Sequence, residues 1–148
     1  MNATPSTIDL AEQVANDLAN PRIWYGPSGA QVTGEAVANH LKAAARLMQQ
    51  QNWDPQLYPP FSGRHLRDAL ISTKNDGLGD YDTQFVAGRI LESILRHLTG
   101  APFVDYGAWS EHATRTLDHI VRVCQAAASV AAEHGPQAAE HGPRPVTA

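Results

Sequence analysis

The chain has 148 residues, a length that one domain with a single hydrophobic core accounts for without a disulfide or a structural metal. Eleven basic residues against fifteen acidic ones give a formal net charge of −4, and the basic residues are interleaved with acids along the chain. Because proteins that hold nucleic acid through its phosphates carry clustered cations, this pattern argues against nucleic-acid binding. The single cysteine excludes an intrachain disulfide and fits a reducing cytosol.

The sequence shows neither a secretion signal nor a membrane span. Its first residues, MNATPSTIDLAEQ, lack a charged start followed by an apolar run. No window approaches the roughly 18 uninterrupted apolar residues that a membrane helix needs. We therefore expect a cytoplasmic protein without membrane contact.

The first 32 residues predict one helix followed by an aromatic turn. Apolar residues at helical spacing predict a helix from Ser6 to Ala19. Trp24 and Tyr25 then precede Gly26-Pro27, a turn signal, and we expect their rings to cover one end of the core. If the two rings were exposed instead, they would indicate a surface for a partner.

The second predicted helix runs from Gly34 to Asn52, with Thr33 as the cap of its first turn. Its apolar side includes three consecutive alanines, which allow a neighbouring helix to approach closely. His40 lies at the edge of this side. A lone histidine in that position is typical of a hydrogen-bonded core residue, not of a catalyst or a metal ligand.

An aromatic connection and a short helix follow. Residues Trp53–Phe61 contain three prolines, which forbid a regular helix, and their aromatic side chains can press on the core. Ser62 is the expected cap of a third helix from Gly63 to Thr73. The acidic stretch Lys74–Asp82 does not place oxygen ligands at the spacing of a calcium-binding EF-hand loop, so we expect a solvated turn.

The stretch Asp82–Gly100 predicts the central helix. Its apolar residues cover about half of the circumference, so neighbours should contact it from two sides. Asp82 is the expected cap at its start, and Gly100 the left-handed stop at its end. The apolar arc is formed by Phe85, Val86, Ile90, Leu91, Ile94, Leu95 and Leu98.

The last predicted helix runs from Leu117 to His134 with Thr116 as its cap and Cys124 on its apolar face. After it, Ala131–Pro136 recurs as Ala138–Pro143, a duplication too rich in Gly, Pro and Ala to bury a core of its own. We predict one domain over residues 1–134 and a flexible tail over residues 135–148. The predicted fold is all-α: a compact bundle of about five helices with aromatic and proline-rich connections and a disordered C-terminal tail.

Three pieces of the sequence carry a resemblance to a known family: Leu41–Trp53, Gly63–Leu66 at the start of a short helix, and Trp109 followed by Thr114–Leu117 at the start of a long one. Together they resemble a small helical domain family of unknown function that occurs mostly in actinobacteria and their phages. The resemblance covers about Glu35 to Ala132 and implies the helical fold and such a source, but no activity.

The chemistry-bearing candidates give two hypotheses about function. The usual nucleophile, phosphate-loop and metal motifs are absent from the sequence, so we expect no cofactor and no metal. The favoured hypothesis is a small accessory protein that contacts another protein or itself and presents at least one of Trp24, Tyr58 and Trp109 to solvent. The alternative is a small enzyme or ligand-binding protein, in which a histidine near a carboxylate transfers protons. Its candidate pocket residues are Arg64, His65, Glu111 and His112, with Asp105, Tyr106 and Trp109 in the same loop.

A DNA-binding regulator is a third, more distant reading. Arg64 and Arg67 lie on one short helix that could enter a groove, but few cations surround them.

Overall fold

The computed structural model describes residues 7–138, with side chains described from Leu10 onward. These residues form six α-helices, so the predicted all-α fold is confirmed. The helices are α1 (Thr7–Leu18), α2 (Gly34–Gln51), α3 (Leu66–Asn75), α4 (Tyr81–Thr99), α5 (Tyr106–Glu111) and α6 (Leu117–His134), with a short 3-10 helix at Pro21–Trp24. Within this range no strand forms, and no helix is long and apolar enough to cross a membrane.

Helix α4 is central, as predicted, and it contacts every other helix. Its residues Val86, Ile90, Leu91 and Leu95 are fully buried, and truncation of such a side chain to alanine costs about 2–5 kcal/mol. Phe85 and Leu98, by contrast, are exposed at the edge of the predicted arc. The most extensive single interface joins α2 to α6, where buried alanines allow close approach; they are Ala44, Ala45, Ala127, Ala128 and Ala131.

The predicted caps of three helix ends are confirmed. Thr33 Oγ1 accepts a hydrogen bond from the N–H of Ala36 at 3.0 Å, and Thr116 Oγ1 accepts one from the N–H of His119 at 3.2 Å. Gly100 ends α4 with a left-handed φ of 78°, which glycine adopts without strain. The threonines before α2 and α6 and the glycine after α4 therefore predicted these three helix ends correctly.

The predicted cap of the central helix is wrong. Asp80, not Asp82, caps α4, and its carboxylate accepts the N–H of Thr83 at 2.8 Å. The Asp82 carboxylate instead accepts from the N–H and hydroxyl of Ser28, at 3.0 and 2.6 Å, and so holds the turn between Tyr25 and Gln31. Two nearby aspartates fit the same capping rule, and a tertiary contact decides between them.

The predicted start of the third helix is also wrong. Helix α3 begins at Leu66, and its cap is His65, not Ser62. His65 Nδ1 accepts from the N–H groups of Arg67 and Asp68, at 3.2 and 3.4 Å, and the Asp68 carboxylate accepts the N–H of His65 in return. Histidine lies outside the usual set of cap residues, so the preference for Ser, Thr, Asp and Asn pointed to the wrong residue.

Helix α5 lies in a segment that the sequence predicted as an irregular loop. Asp105 caps it by accepting from the N–H groups of Gly107 and Ala108. Trp109 packs into the core, and Ser110 Oγ accepts the N–H of Leu66 at 3.0 Å, which fastens α5 to α3. Six residues make fewer than two turns, too few for helical periodicity to be recognised.

His40 is a hydrogen-bonded core residue, as predicted. It is fully buried, and its Nε2 lies 2.9 Å from the carbonyl oxygen of Leu70, which requires the proton on Nε2. Burial lowers the pKa of His40, although the Leu70 carbonyl and the charge of Asp80 act in the opposite direction. The histidine therefore stays neutral and joins α2 to α3.

The packed part of the chain extends slightly past α6. The Pro136 carbonyl accepts the N–H of Gly34 at 2.9 Å, so the first residues of the predicted tail contact the start of α2. Residues 139–148, with most of the second copy of the duplication, lie outside the described residues.

Candidate functional site

Four of the candidate residues named from the sequence lie together where α3 meets α5. The Arg64 guanidinium lies 4.6 Å from the centre of the Tyr58 ring. His65 Nε2 is 3.9 Å from Glu111 Oε2, and the same Glu111 oxygen accepts the N–H of Phe61 at 2.8 Å. We call Tyr58, Phe61, Arg64, His65 and Glu111 the Phe61 surface.

Phe61 is the centre of this surface, and the prediction that its ring presses on the core is wrong. Its side chain is 93% exposed, and its backbone has a φ of 66°, in the left-handed region. That conformation costs a non-glycine residue about 1–2 kcal/mol. Asn52, the other non-glycine residue with a positive φ in the described range, ends α2, where asparagine is common. Phe61 has no comparable local reason.

The connection that carries Phe61 is fixed at two points. Glu111 binds its backbone at Phe61, and the Gln56 side chain donates to the carbonyl oxygens of Ala113 and Arg115, at 2.5 and 2.9 Å. Leu57, in the same connection, is also exposed. The structure therefore holds an apolar ring in solvent on a fixed backbone.

Of Trp24, Tyr58 and Trp109, at least one of which we expected to be exposed, both tryptophans are buried. Trp24 is 2% exposed, and its indole N–H donates to the carbonyl of Leu18, so its ring covers one end of the core. Trp109 is 8% exposed and lies between the Arg115 guanidinium and the His119 ring. Of the three aromatic candidates, only Tyr58 reaches solvent, and it is half-buried.

The proposed acid–base residues converge only in part. His65 and Glu111 approach each other, but His112 is exposed, and its ring makes its described hydrogen bonds with Thr114. Because His65 Nδ1 accepts two backbone N–H groups, its proton lies on Nε2, and the 3.9 Å to Glu111 exceeds hydrogen-bonding distance. His65 and Glu111 thus cap a helix and hold a loop.

A second feature lies on the other side of α3, where it faces α4. A cavity of about 580 Å³ opens between α3, α4 and the segment that leads into α5. Its volume lies in the range of small-molecule sites. Four of the lining residues carry aromatic rings: Tyr81, Phe85, Phe103 and Tyr106. We call these four residues and the cavity between them the aromatic cleft.

Sequence reasoning named only Tyr106 of these rings as a site candidate. Tyr81 and Phe85 are four residues apart and share one face of α4, a spacing that is visible in the sequence. Phe103 comes from a different segment and is 76% exposed. Only the fold brings the three segments together, so the sequence could reveal the pair on α4 but not the cleft.

Gly88 makes room for the inner ring of the cleft. A β-carbon at position 88 would lie 3.0 Å from the Tyr106 ring and 3.1 Å from its hydroxyl oxygen. Burial raises the pKa of Tyr106; the Arg67 charge opposes this change and the Asp105 charge adds to it. The phenol therefore stays protonated near neutral pH.

The charges that line the cleft differ in their partners. Arg67 and Asp105 form an ion pair with 2.7 Å between Nη2 and Oδ1. Arg89 Nη1 donates to the carbonyl oxygens of residues 22, 23 and 25, and its guanidinium lies over the Phe85 ring. The Glu92 side chain has neither a hydrogen bond nor an ion pair in the part of the chain that the structure describes.

Burial would raise the pKa of Asp105, but the Ala108 N–H, the Arg67 guanidinium and the Gly107 N–H outweigh it. The pKa of Asp105 therefore lies below its usual value. The carboxylate that caps α5 stays ionised well into acid.

Among residues 10–138, whose side chains the structure describes, no group of three or more His, Cys, Asp or Glu side chains is placed to hold a metal ion. Cys124 is buried, and burial raises its pKa to about 12, so its thiol stays protonated at neutral pH.

Comparison with known proteins places the chain in one family. A model described as "Family of unknown function (DUF6197)" matches residues 32–130, close to the span expected from the resemblance. The match includes both the Phe61 surface and the aromatic cleft and leaves out α1. Neither the curated proteins nor the solved structures contain a match.

Proposed function

Because the chain belongs to this family of unknown function, we propose its role from its geometry: it is a non-catalytic interaction protein that contacts another protein through the Phe61 surface. The observation that carries the proposal is the fully exposed Phe61 ring on a left-handed backbone that Glu111 holds in place. Strained backbone in an ordered region is typical of functional sites. An apolar ring in water is unfavourable unless a partner covers it.

The residues around Phe61 also suit a protein contact. Aromatic and arginine side chains dominate the binding energy of protein interfaces, and Arg64 and Tyr58 lie beside each other next to Phe61. The two fixed points of the connection reduce the entropy that binding would remove. A partner should therefore offer an apolar pocket for Phe61, with Arg64 at its rim.

Proton-transfer chemistry at His65 and Glu111 is the second candidate, favoured by the 3.9 Å between the two side chains. Each side chain already has a structural task, His65 as the cap of α3 and Glu111 as the holder of Phe61. We therefore rank this candidate below the interaction role.

Site-specific photo-crosslinking tests the interaction role. p-Benzoyl-phenylalanine at position 61 should give one discrete adduct in cells of the source organism, and its mass distinguishes another protein from a second copy of the chain. The same probe at Leu98, an exposed apolar residue at the far end of α4, is the matched control. Equal adducts from both positions, or none from position 61, would overturn the proposal.

Two variants distinguish the contribution of the Phe61 ring from that of Glu111, which holds its backbone. Phe61→Ser should abolish the adduct formed from a second probe placed at Leu57. Glu111→Gln retains an acceptor for the Phe61 N–H and should weaken the adduct only modestly, since it removes charge but little geometry. A normal adduct in Phe61→Ser would show that another part of the connection binds the partner.

A further inference from the structure

The aromatic cleft has an apolar end and an acidic end. On α4, the residues Tyr81, Phe85, Gly88 and Glu92 line it at spacings of four, three and four, so it follows the helix for about 16 Å. Tyr81, Phe85 and Phe103 are all exposed, and they supply apolar surface that a ligand would cover. Glu92 lies one turn beyond Gly88, against which the Tyr106 ring packs.

Three side chains of the cleft hold an acceptor atom that lacks a hydrogen-bond donor within the described residues. The Glu92 carboxylate has none within the described residues, and neither does the Tyr106 hydroxyl, which can also donate. The Gln84 Oε1 atom is buried in the wall without a hydrogen bond. A buried acceptor without a donor costs about 1–3 kcal/mol. A complementary ligand should therefore carry hydrogen-bond donors.

The two carboxylates of the lining differ in whether they already pair with a cation. Asp105 neutralises Arg67, and the Arg89 guanidinium binds three backbone carbonyls and lies on Phe85. Glu92 is the lining carboxylate without a described cationic partner. Aromatic faces also attract cations, as those of Phe85 and Tyr106 already do here.

We infer that the aromatic cleft binds a small amphipathic amine, with its ammonium group at Glu92 and its apolar body between Phe85 and Phe103. The cavity of about 580 Å³ has the size of a small-molecule site. This inference does not depend on the Phe61 surface, which shares no residue with the lining of the cleft.

Three compounds that share an indole ring but differ in their polar group test whether the cleft prefers an ammonium group. Tryptamine carries an ammonium group, tryptophol a hydroxyl, and indole-3-propionate a carboxylate. In NMR titrations of the full ¹⁵N-labelled chain at pH 7, tryptamine should shift the amides of Phe85, Gly88 and Phe103. It should bind about tenfold more tightly than tryptophol, the effect of one charge-assisted hydrogen bond, and the carboxylate should bind most weakly.

Variants test whether Glu92 causes the preference for tryptamine over tryptophol. Glu92→Gln should make tryptamine and tryptophol bind equally, and Phe103→Ala should weaken both. Glu12→Gln, which neutralises an exposed acid on α1, is the matched control and should change nothing. Phe61→Ser should also leave tryptamine binding intact, which separates this inference from the interaction role.

Two results would overturn the inference. One is the absence of shifts in the cleft with all three compounds. The other is equal binding of tryptamine and tryptophol to the native chain, because Glu92 would then contribute nothing. A preserved dispersion of amide signals in each variant shows that a lost interaction does not reflect unfolding.

Discussion

The Phe61 surface and the aromatic cleft both depend on α5, yet they expose aromatic rings for opposite reasons. At the Phe61 surface, a carboxylate fixes an unfavourable backbone and one ring points outward. In the cleft, a glycine leaves space for a ring, and the other rings gather around the cavity. The Phe61 surface projects a ring into solvent, which suits contact with a protein. The aromatic cleft encloses a cavity, which suits a small ligand. Variants that affect one and spare the other test this division.

Trp109→Ala should have the largest effect and should damage both features. Loss of a buried tryptophan from a core costs about 3–5 kcal/mol, and this ring fixes α5 between Arg115 and His119. Urea denaturation measures the loss. Leu98→Ala, at an exposed site, is the control and should change the free energy of unfolding by less than about 0.5 kcal/mol. A Trp109→Ala loss below about 1 kcal/mol would show that α5 is not anchored by this ring.

Phe61→Gly should stabilise the chain by about 1 kcal/mol while it removes the partner contact. Glycine adopts a φ of 66° without strain, whereas alanine keeps most of the penalty. Phe61→Ala is therefore the control that removes the ring but not the strain. Thermal or urea unfolding of the two variants gives the comparison. Equal stabilities would mean that the left-handed backbone at position 61 carries no strain.

These two positions show which parts of the site the sequence could reveal. Tyr58, Arg64, His65 and Glu111 could be selected because their side chains carry recognisable chemistry. Phe61, which they surround, could not, since no local rule predicts a left-handed phenylalanine. The hydrogen bond that holds it joins residues fifty positions apart.

The same limit applies to the fold. Helices α2, α4 and α6 were predictable because each is long and periodic, and the threonine caps of α2 and α6 fixed their starts. The cap of α3 was missed because histidine is an unusual cap residue, and α5 was missed because six residues are too few to show helical periodicity. The bond from the Leu66 N–H to Ser110 joins these two elements and is not visible in the sequence. The Phe61 surface and the aromatic cleft each include residues from the start of α3 and from α5.

Gly88→Ala should close the aromatic cleft with little net change in stability. The added methyl group meets the Tyr106 ring at 3.0 Å, so the ring must move by a few tenths of an ångström into the cavity. The strain is offset by a gain of up to about 1 kcal/mol from the higher helix propensity of alanine. NMR should show shifted Phe103 and Tyr106 signals, weaker tryptamine binding and unchanged Phe61 signals. Shifts at Phe61 would show that the two features are coupled through α5.

The smallest effect concerns the charge of Asp105, which caps α5 and pairs with Arg67 beside the cleft. Because the pKa of Asp105 is lower in the folded chain than in the unfolded one, its contribution is complete above about pH 4 and is lost as the pH falls through the folded value. Asp105→Asn keeps the cap but not the charge, so its stability should fall less steeply than that of the native chain below pH 4. The pair is more than half exposed on the Asp105 side, and solvent screening keeps the difference small. If the acid unfolding curves of the two proteins run parallel, the pKa of Asp105 is not the source of the acid sensitivity. Curves that diverge below pH 4 would confirm that Asp105 stabilises the chain through its charge.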